Sequence, residues 1–119
     1  MANVERIEQM EQRLNRALDA VRKMDAALEE YESALAQYEA VQEDVKCLDE
    51  YLGSENWKRD CADDQHGLLP TDLKRGVLSE DGIWNLLTDY RELGQRLEIL
   101  KLNTDNSLKN IRNFAHLKK

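Results

Sequence analysis

The chain has 119 residues, of which 41% are apolar and 34% are charged. This length suits one domain, and the composition, with one proline and one phenylalanine, favours helices around a thin core. No apolar run reaches the ~20 residues that a membrane-spanning helix needs, and the start lacks a signal-peptide pattern. Cys47 and Cys61 have no paired spacing and favour reduced thiols. We therefore predict an all-α protein in the cytoplasm.

The net charge of -7 is distributed unevenly along the chain. Residues 1–52 carry thirteen acidic and six basic side chains, whereas residues 103–119 carry one acidic and four basic side chains. Between Met24 and Val45 there is no Lys or Arg. Because such a surface repels phosphate, we exclude nucleic acid as a partner and expect a protein, a basic one if charge drives docking.

Apolar residues from Val4 to Leu52 recur at spacings of three and four, which predicts one long helix over about 4–52. The two heptad rows are Ile7, Leu14, Val21, Leu28 and Leu35, and Met10, Ala17, Met24, Tyr31, Tyr38, Val45 and Leu52. The first row shifts to Val41 and Leu48 at its end, which indicates a change of packing surface near Tyr38. A heptad pattern of this length is typical of a coiled coil.

The middle of the chain contains the helix-breaking residues. Gly53 and Ser54 predict a helix stop and a helix start, followed by a short cross helix over about 55–64. The residue before Pro70 is expected to be extended, and a turn over 71–76 is closed by Gly76. A structural role at this corner is assigned to Trp57, Pro70, Asp72, Gly76, Ser79 and Trp84, with the two tryptophans closing the core.

Ser79 predicts the start of a last helix over about 80–102, because Glu80 and Asp81 in the first turn oppose the helix dipole. This helix again has apolar residues at heptad spacing, namely Ile83, Leu86, Tyr90, Leu93, Leu97 and Leu100. Residues 1–102 are therefore predicted to form an antiparallel coiled-coil hairpin of a long and a shorter helix. The basic C-terminal tail, 103–119, either continues the last helix or forms a separate short one.

A family resemblance lies in five segments: YLGS at 51–54, Trp57, Leu69-Pro70, DLKRGVLSED at 72–81 and Ile83-Trp84. With these segments the chain resembles a family of small bacterial helical proteins described as domain of unknown function 4298. The resemblance covers about residues 4–100, and the run from Asp72 to Asp81 is its most specific part. The family has no known activity, cofactor or catalytic residue, so the resemblance supports the fold boundaries and implies no mechanism.

Two clusters of polar residues are candidate binding sites. The first holds the metal-ligand types Asp60, Cys61, Asp63, Asp64 and His66 within seven positions. A metal site needs three or four converging ligands, so a solvated acidic helix end is favoured. The second cluster, Asp72, Lys74 and Arg75 with Glu80 and Asp81, could bind an anion, but local ion pairs and caps that fix the turn are favoured.

No catalytic motif is present in the sequence, so we predict no enzyme activity, no cofactor and no metal. We expect a protein-interaction module that binds itself, as a homodimer, or another protein through its long acidic helix. The partner-binding residues predicted are Tyr31, Tyr38, Glu29, Glu32, Glu39 and Glu43. Two alternatives stay open: a small acidic inhibitor of a bacterial defence or nucleic-acid enzyme, and a small metal-binding protein that uses residues 60–66.

Overall fold

A computed structural model describes residues 2–114 and confirms the all-α class, with no strand among those residues. It contains four α-helices and one short 3₁₀ helix. They are α1 (Ala2–Ala40), α2 (Gln42–Tyr51), α3 (Glu55–Gln65), the 3₁₀ helix Gly76–Leu78 and α4 (Glu80–Ile111). No helix in this described part of the chain is long and apolar enough to cross a membrane.

The chain divides into two compact units, residues 1–43 and residues from Asp44 onward. The first unit consists mainly of α1, which contains no buried side chain. The second contains α3, the 3₁₀ helix and α4, and the 3₁₀ helix contacts both of these α-helices. The antiparallel pairing of the long first helix with α4 stays a prediction.

The long helix expected over 4–52 differs from the observed structure at Val41, which lies in a turn between α1 and α2. The interruption falls where the first heptad row shifts from Leu35 to Val41 and Leu48. A helix with 3.6 residues per turn drifts against a strict heptad repeat, so the shifted row continues on a different side of the helix.

The ends of α3 use the signals expected from the sequence. Ser54 caps its first turn, accepting a hydrogen bond from the Trp57 backbone N–H at 3.1 Å. At the other end, Gly67 has φ +69°. The Gly67 N–H donates to the backbone carbonyl of Asp64, and the Leu68 N–H donates to the backbone carbonyl of Asp63. This pair of bonds is a Schellman motif, which requires the left-handed conformation that glycine adopts without strain.

The last helix is longer than the expected 80–102, because α4 continues through Asn103 to Asn106 and ends at Ile111. Thr104 does not break it, since its hydroxyl donates to the Leu100 carbonyl at 2.8 Å within the helix. Of the two readings of the tail, continuation of the helix holds as far as Ile111. The part of the tail from 115 to 119 lies outside the described residues.

Candidate functional site

The candidate site on α1 is a continuous row of exposed apolar side chains, here called the interaction face. Its members are Val4, Ile7, Met10, Leu14, Leu18, Val21, Met24, Leu28 and Tyr31. Val21 and Met24, in its middle, expose 65% and 69% of their surface. Soluble monomers rarely leave a large contiguous apolar patch in water, which makes this face the candidate site.

The predicted partner-binding residues lie at the end of this face and beyond it. Tyr31 is 39% exposed and closes the face, whereas Tyr38, two turns later, is half-buried. Glu29, Glu32 and Glu39 are exposed on α1, and Glu43 is exposed on α2. Glu29 and Glu32 are therefore close to Tyr31 along α1, and Glu39 and Glu43 follow further along the chain.

A second cluster occupies the loop between α3 and α4, and Arg75 is its centre. Its Nε donates to Asp64 Oδ1 at 2.6 Å, and its Nη atoms donate to the carbonyls of Pro70, Thr71 and Leu73. The fork geometry of a guanidinium permits several such bonds at once. Arg75 therefore stabilises the loop and anchors it to α3 through Asp64, which lies outside the predicted cluster.

Tyr51 joins the end of α2 to α3. Its hydroxyl donates to Asp60 Oδ2 at 2.6 Å. The bond to a carboxylate stabilises the neutral phenol and, with burial, raises the pKa of Tyr51 to about 12. The phenol therefore stays protonated and donates this hydrogen bond over the physiological pH range.

The predicted corner residues differ in what they contact. Trp57 is half-buried, and its indole N–H donates to the Val77 carbonyl at 3.0 Å, which ties α3 to the 3₁₀ helix. The Pro70 carbonyl accepts from Arg75 and from the Leu73 N–H, while Asp72 is exposed. In the predicted turn over 71–76, residues 71–72 form a turn, residues 73–75 form a bend and irregular backbone, and Gly76 begins the 3₁₀ helix.

Two of the three expectations at the start of α4 were wrong. Trp84 does not close the core, because 56% of its surface is exposed; Ile83, at 3%, is the one buried apolar side chain among residues 2–114. Ser79 occupies the N-cap position of α4, so the predicted start of this helix holds, although the Ser79 side chain makes no capping hydrogen bond. Gly76 begins the 3₁₀ helix without a positive φ, so it is not a left-handed closing residue.

Gly82 is the glycine that the corner requires. A Cβ atom built at Gly82 would overlap the carbonyl oxygen of Gly76, whereas a Cβ at Gly76 would meet nothing within 4 Å. The absence of a side chain at Gly82 thus lets the first turn of α4 approach the backbone of the 3₁₀ helix. The sequence placed Gly82 inside a helix and offered no signal for this contact.

Residues 60–66 are not gathered into a metal site. No group of three or more His, Cys, Asp or Glu residues that could hold a metal ion occurs in the described part of the chain. Asp60 accepts from Tyr51, Asp64 is paired with Arg75, and Cys61 Sγ lies 3.5 Å from the Leu78 carbonyl. These contacts connect α3 to its neighbours, which is a structural use of three of the five proposed ligands.

Two shallow apolar grooves flank Val77 in the second unit, with volumes of ≈ 400 Å³ and ≈ 320 Å³. Lys74 and Val77 line both grooves. Tyr51 and Asp60 line the smaller groove, but they are hydrogen-bonded to each other. The grooves therefore offer space for an apolar side chain near one ammonium group, and the polar pair in the smaller one already serves the fold.

A family model supports the resemblance seen in the sequence. The model for domain of unknown function 4298 matches residues 7–99, which is most of the chain, so the protein belongs to that family. No curated protein and no solved structure gives a significant match. The match spans most of the interaction face as well as the corner around Arg75, Gly82 and Ile83.

Proposed function

We propose that this protein is a non-enzymatic helical interaction module that binds a protein through the interaction face on α1. The observation that carries the proposal is the exposure of nine large apolar side chains along one side of a single 39-residue helix. Fully burying one such side chain contributes about 1.5–3 kcal/mol, so covering even part of the face supplies substantial binding free energy. The loss of rotational, translational and side-chain freedom offsets part of that gain.

The acidic residues supply the second part of the proposal. Glu29, Glu32, Glu39 and Glu43 are exposed near the tyrosine end of the face, in a stretch without Lys or Arg. Charges of one sign at the edge of an interface speed association with an oppositely charged partner and disfavour like-charged ones. This supports a protein partner and disfavours nucleic acid. The two cysteines have no paired spacing in the sequence and fit a reducing compartment, and we propose a cytoplasmic location on that basis.

The antiparallel hairpin belongs to the same proposal. The heptad spacing of the first helix recurs in α4, which favours pairing of the two. However, α4 has 32 residues, whereas α1 alone has 39 and is followed by the 10 residues of α2. Pairing with α4 therefore cannot cover the whole first arm, and the N-terminal part of the interaction face is left for another molecule.

The acidic stretch also favours the inhibitor alternative, in which the carboxylates occupy a basic site on an enzyme. The two candidates differ in what carries the binding. An interaction module depends on the apolar face and tolerates salt, whereas an electrostatic inhibitor depends on the carboxylates and is released by salt.

The test is affinity capture from a bacterial lysate with the double variant Val21→Ser/Met24→Ser. The control is Gln12→Ser, which changes a polar residue of α1 that belongs to neither heptad row. We expect the double variant to lose the captured protein, or the second copy of the chain, while the control retains it. Unchanged binding by the double variant would refute the proposal, and loss of binding only in high salt would favour the inhibitor.

A further inference from the structure

The heptad register of α1 determines which charged residues flank the interaction face. With Ile7, Leu14, Val21, Leu28 and Leu35 at the a positions, the g positions are Arg6, Arg13, Ala20, Ala27 and Ala34. The e positions are Glu11, Leu18, Asp25, Glu32 and Glu39. The edge formed by the g positions thus begins with two arginines and continues with alanines. The edge formed by the e positions is mostly acidic.

In a parallel, in-register coiled coil, each g residue faces the e residue five positions later on the other chain. Arg6 of one copy then faces Glu11 of the other, which is an attractive pair that occurs twice by symmetry. Arg13 faces Leu18, whose apolar surface its stem can cover. The remaining acidic e residues face alanines, so no like charges oppose each other.

An antiparallel coil pairs these edges differently, because e residues then face e residues and g residues face g residues. With Leu14 packed against Met24 of the other copy, Glu11 faces Asp25 twice, and Arg13 faces Ala27. Moving the register by one heptad, to pair Leu14 with Tyr31, makes Glu11 face Glu32. In both registers acids oppose acids, and the arginines have no acidic partner.

We infer that the partner of the interaction face is a second copy of this chain, aligned parallel and in register through α1. The inference rests on the proposed function and specifies its partner. Charge complementarity between the two edges favours this alignment, and exposed apolar residues supply the contact. The N-terminal part of the interaction face, which pairing with α4 leaves open, contains Leu14 and the charged pair of Arg6 and Glu11.

Disulfide cross-linking tests the alignment directly. The full chain carries Cys47→Ser and Cys61→Ser, checked for an unchanged melting profile, with single cysteines then added. Leu14→Cys is expected to form a covalent dimer with itself, because equivalent a positions face each other only in the parallel alignment. Ser33→Cys, at an f position on the outside of the coil, is the matched control and is expected not to cross-link. Sedimentation is expected to give the mass of a dimer.

A charge reversal provides a second readout. Arg6→Glu alone places two carboxylates opposite each other in each pair and is expected to weaken the dimer about tenfold. Adding Glu11→Arg restores the attraction and is expected to restore the affinity. Residues 6 and 11 are five positions apart and do not face each other within one helix, so rescue reports contact between copies.

The other outcomes separate failure of the inference from failure of the proposed function. Cross-linking of Leu14→Cys only in a mixture with Met24→Cys means an antiparallel dimer, which overturns the alignment and leaves the interaction face in use. A monomer that forms no disulfide overturns the inference entirely. The proposed function fails as well if that monomer captures no protein from the lysate, or only proteins that Val21→Ser/Met24→Ser also captures.

Discussion

At the scale of single residues, the corner between α3 and α4 depends on a few side chains that satisfy the backbone of a loop without regular structure. Arg75 is the most important, since one guanidinium binds Asp64 and the three carbonyls of Pro70, Thr71 and Leu73. Carbonyl groups in such a loop have no hydrogen-bond partners within a helix. Each hydrogen bond that one of them accepts contributes about 1 kcal/mol to stability. The conformation of the loop therefore depends on a residue that also anchors it to α3.

Gly82→Ala tests the close approach of α4 to the 3₁₀ helix. Alanine normally stabilises a helix by about 1 kcal/mol relative to glycine, but here its Cβ would overlap the Gly76 carbonyl oxygen. We expect a net loss of about 1–3 kcal/mol, because α4 must move away from the 3₁₀ helix. Urea unfolding, monitored by tryptophan fluorescence, measures this loss of stability.

The control for Gly82→Ala is Gly76→Ala. A Cβ at Gly76 meets open space and the backbone there has no positive φ, so we expect stability within about 0.5 kcal/mol of the parent chain. Equal effects of the two substitutions would contradict the proposed contact and return Gly76 to the role that the sequence suggested.

Tyr51→Phe tests the hydrogen bond to Asp60 through pH. The folded-state pKa of Tyr51 is raised to about 12, above the ordinary value of 10.0. Stability from this bond is thus fully present below about pH 10 and is lost as the pH rises towards 12. At neutral pH we expect the free energy of unfolding of the parent chain to exceed that of Tyr51→Phe by about 1 kcal/mol.

The stability difference between the parent chain and Tyr51→Phe should shrink between pH 10 and pH 12, as measured by urea unfolding at several pH values. Tyr31→Phe is the control, because Tyr31 is exposed on α1. A constant difference across this range would show that the lost free energy does not come from the phenol proton.

At the scale of helices, local signals predicted most boundaries, and tertiary contacts determined the rest. Gly53, Ser54 and Gly67 act on their own neighbours, so their effect on α3 could be read from the sequence. The pairs Tyr51–Asp60 and Asp64–Arg75 depend on how α3 crosses the chain, and no spacing rule contains that information. The same reason explains the misassigned Trp84 and the unnoticed Gly82.

The polar residues 103–106 show how weak a breaker signal without glycine or proline is. Asparagine, threonine and aspartate have only moderately lower helix propensity than leucine, and α4 continues through them. Thr104 additionally bonds back to Leu100 within the helix. Helix propensity alone therefore did not place the end of α4, which lies at Ile111 and not at the predicted residue 102.

Thr104→Pro tests the continuation of α4. Proline inside a helix costs about 3 kcal/mol or more, and residues 104–111 have too few turns to reform a helix on their own. We expect circular dichroism to show the loss of about two helical turns. Thr104→Ala is the control, since it removes the bond to Leu100 and keeps the helix. Equal helix content in both variants would place the end of α4 before residue 104.

At the scale of the whole molecule, the two units differ in what stabilises them. The second unit contains the buried Ile83 and the hydrogen bonds around Arg75, Trp57 and Tyr51. The first unit has no buried side chain along α1. A single helix with an exposed apolar face is marginal in water unless another surface covers it, so the stability of α1 and the proposed binding depend on the same contact.

Separate fragments make this difference measurable. A fragment of residues 44–119 is expected to unfold cooperatively, with Trp57 fluorescence as the probe, because the contacts of the corner lie within it. A fragment of residues 1–43 is expected to be weakly helical at low micromolar concentration and to gain helix as its concentration rises, since association buries the interaction face. Val21→Ser/Met24→Ser should abolish that gain, whereas Gln12→Ser should not. Strong helicity that is independent of concentration would show that α1 needs no partner, and the interaction face would then lose its thermodynamic role.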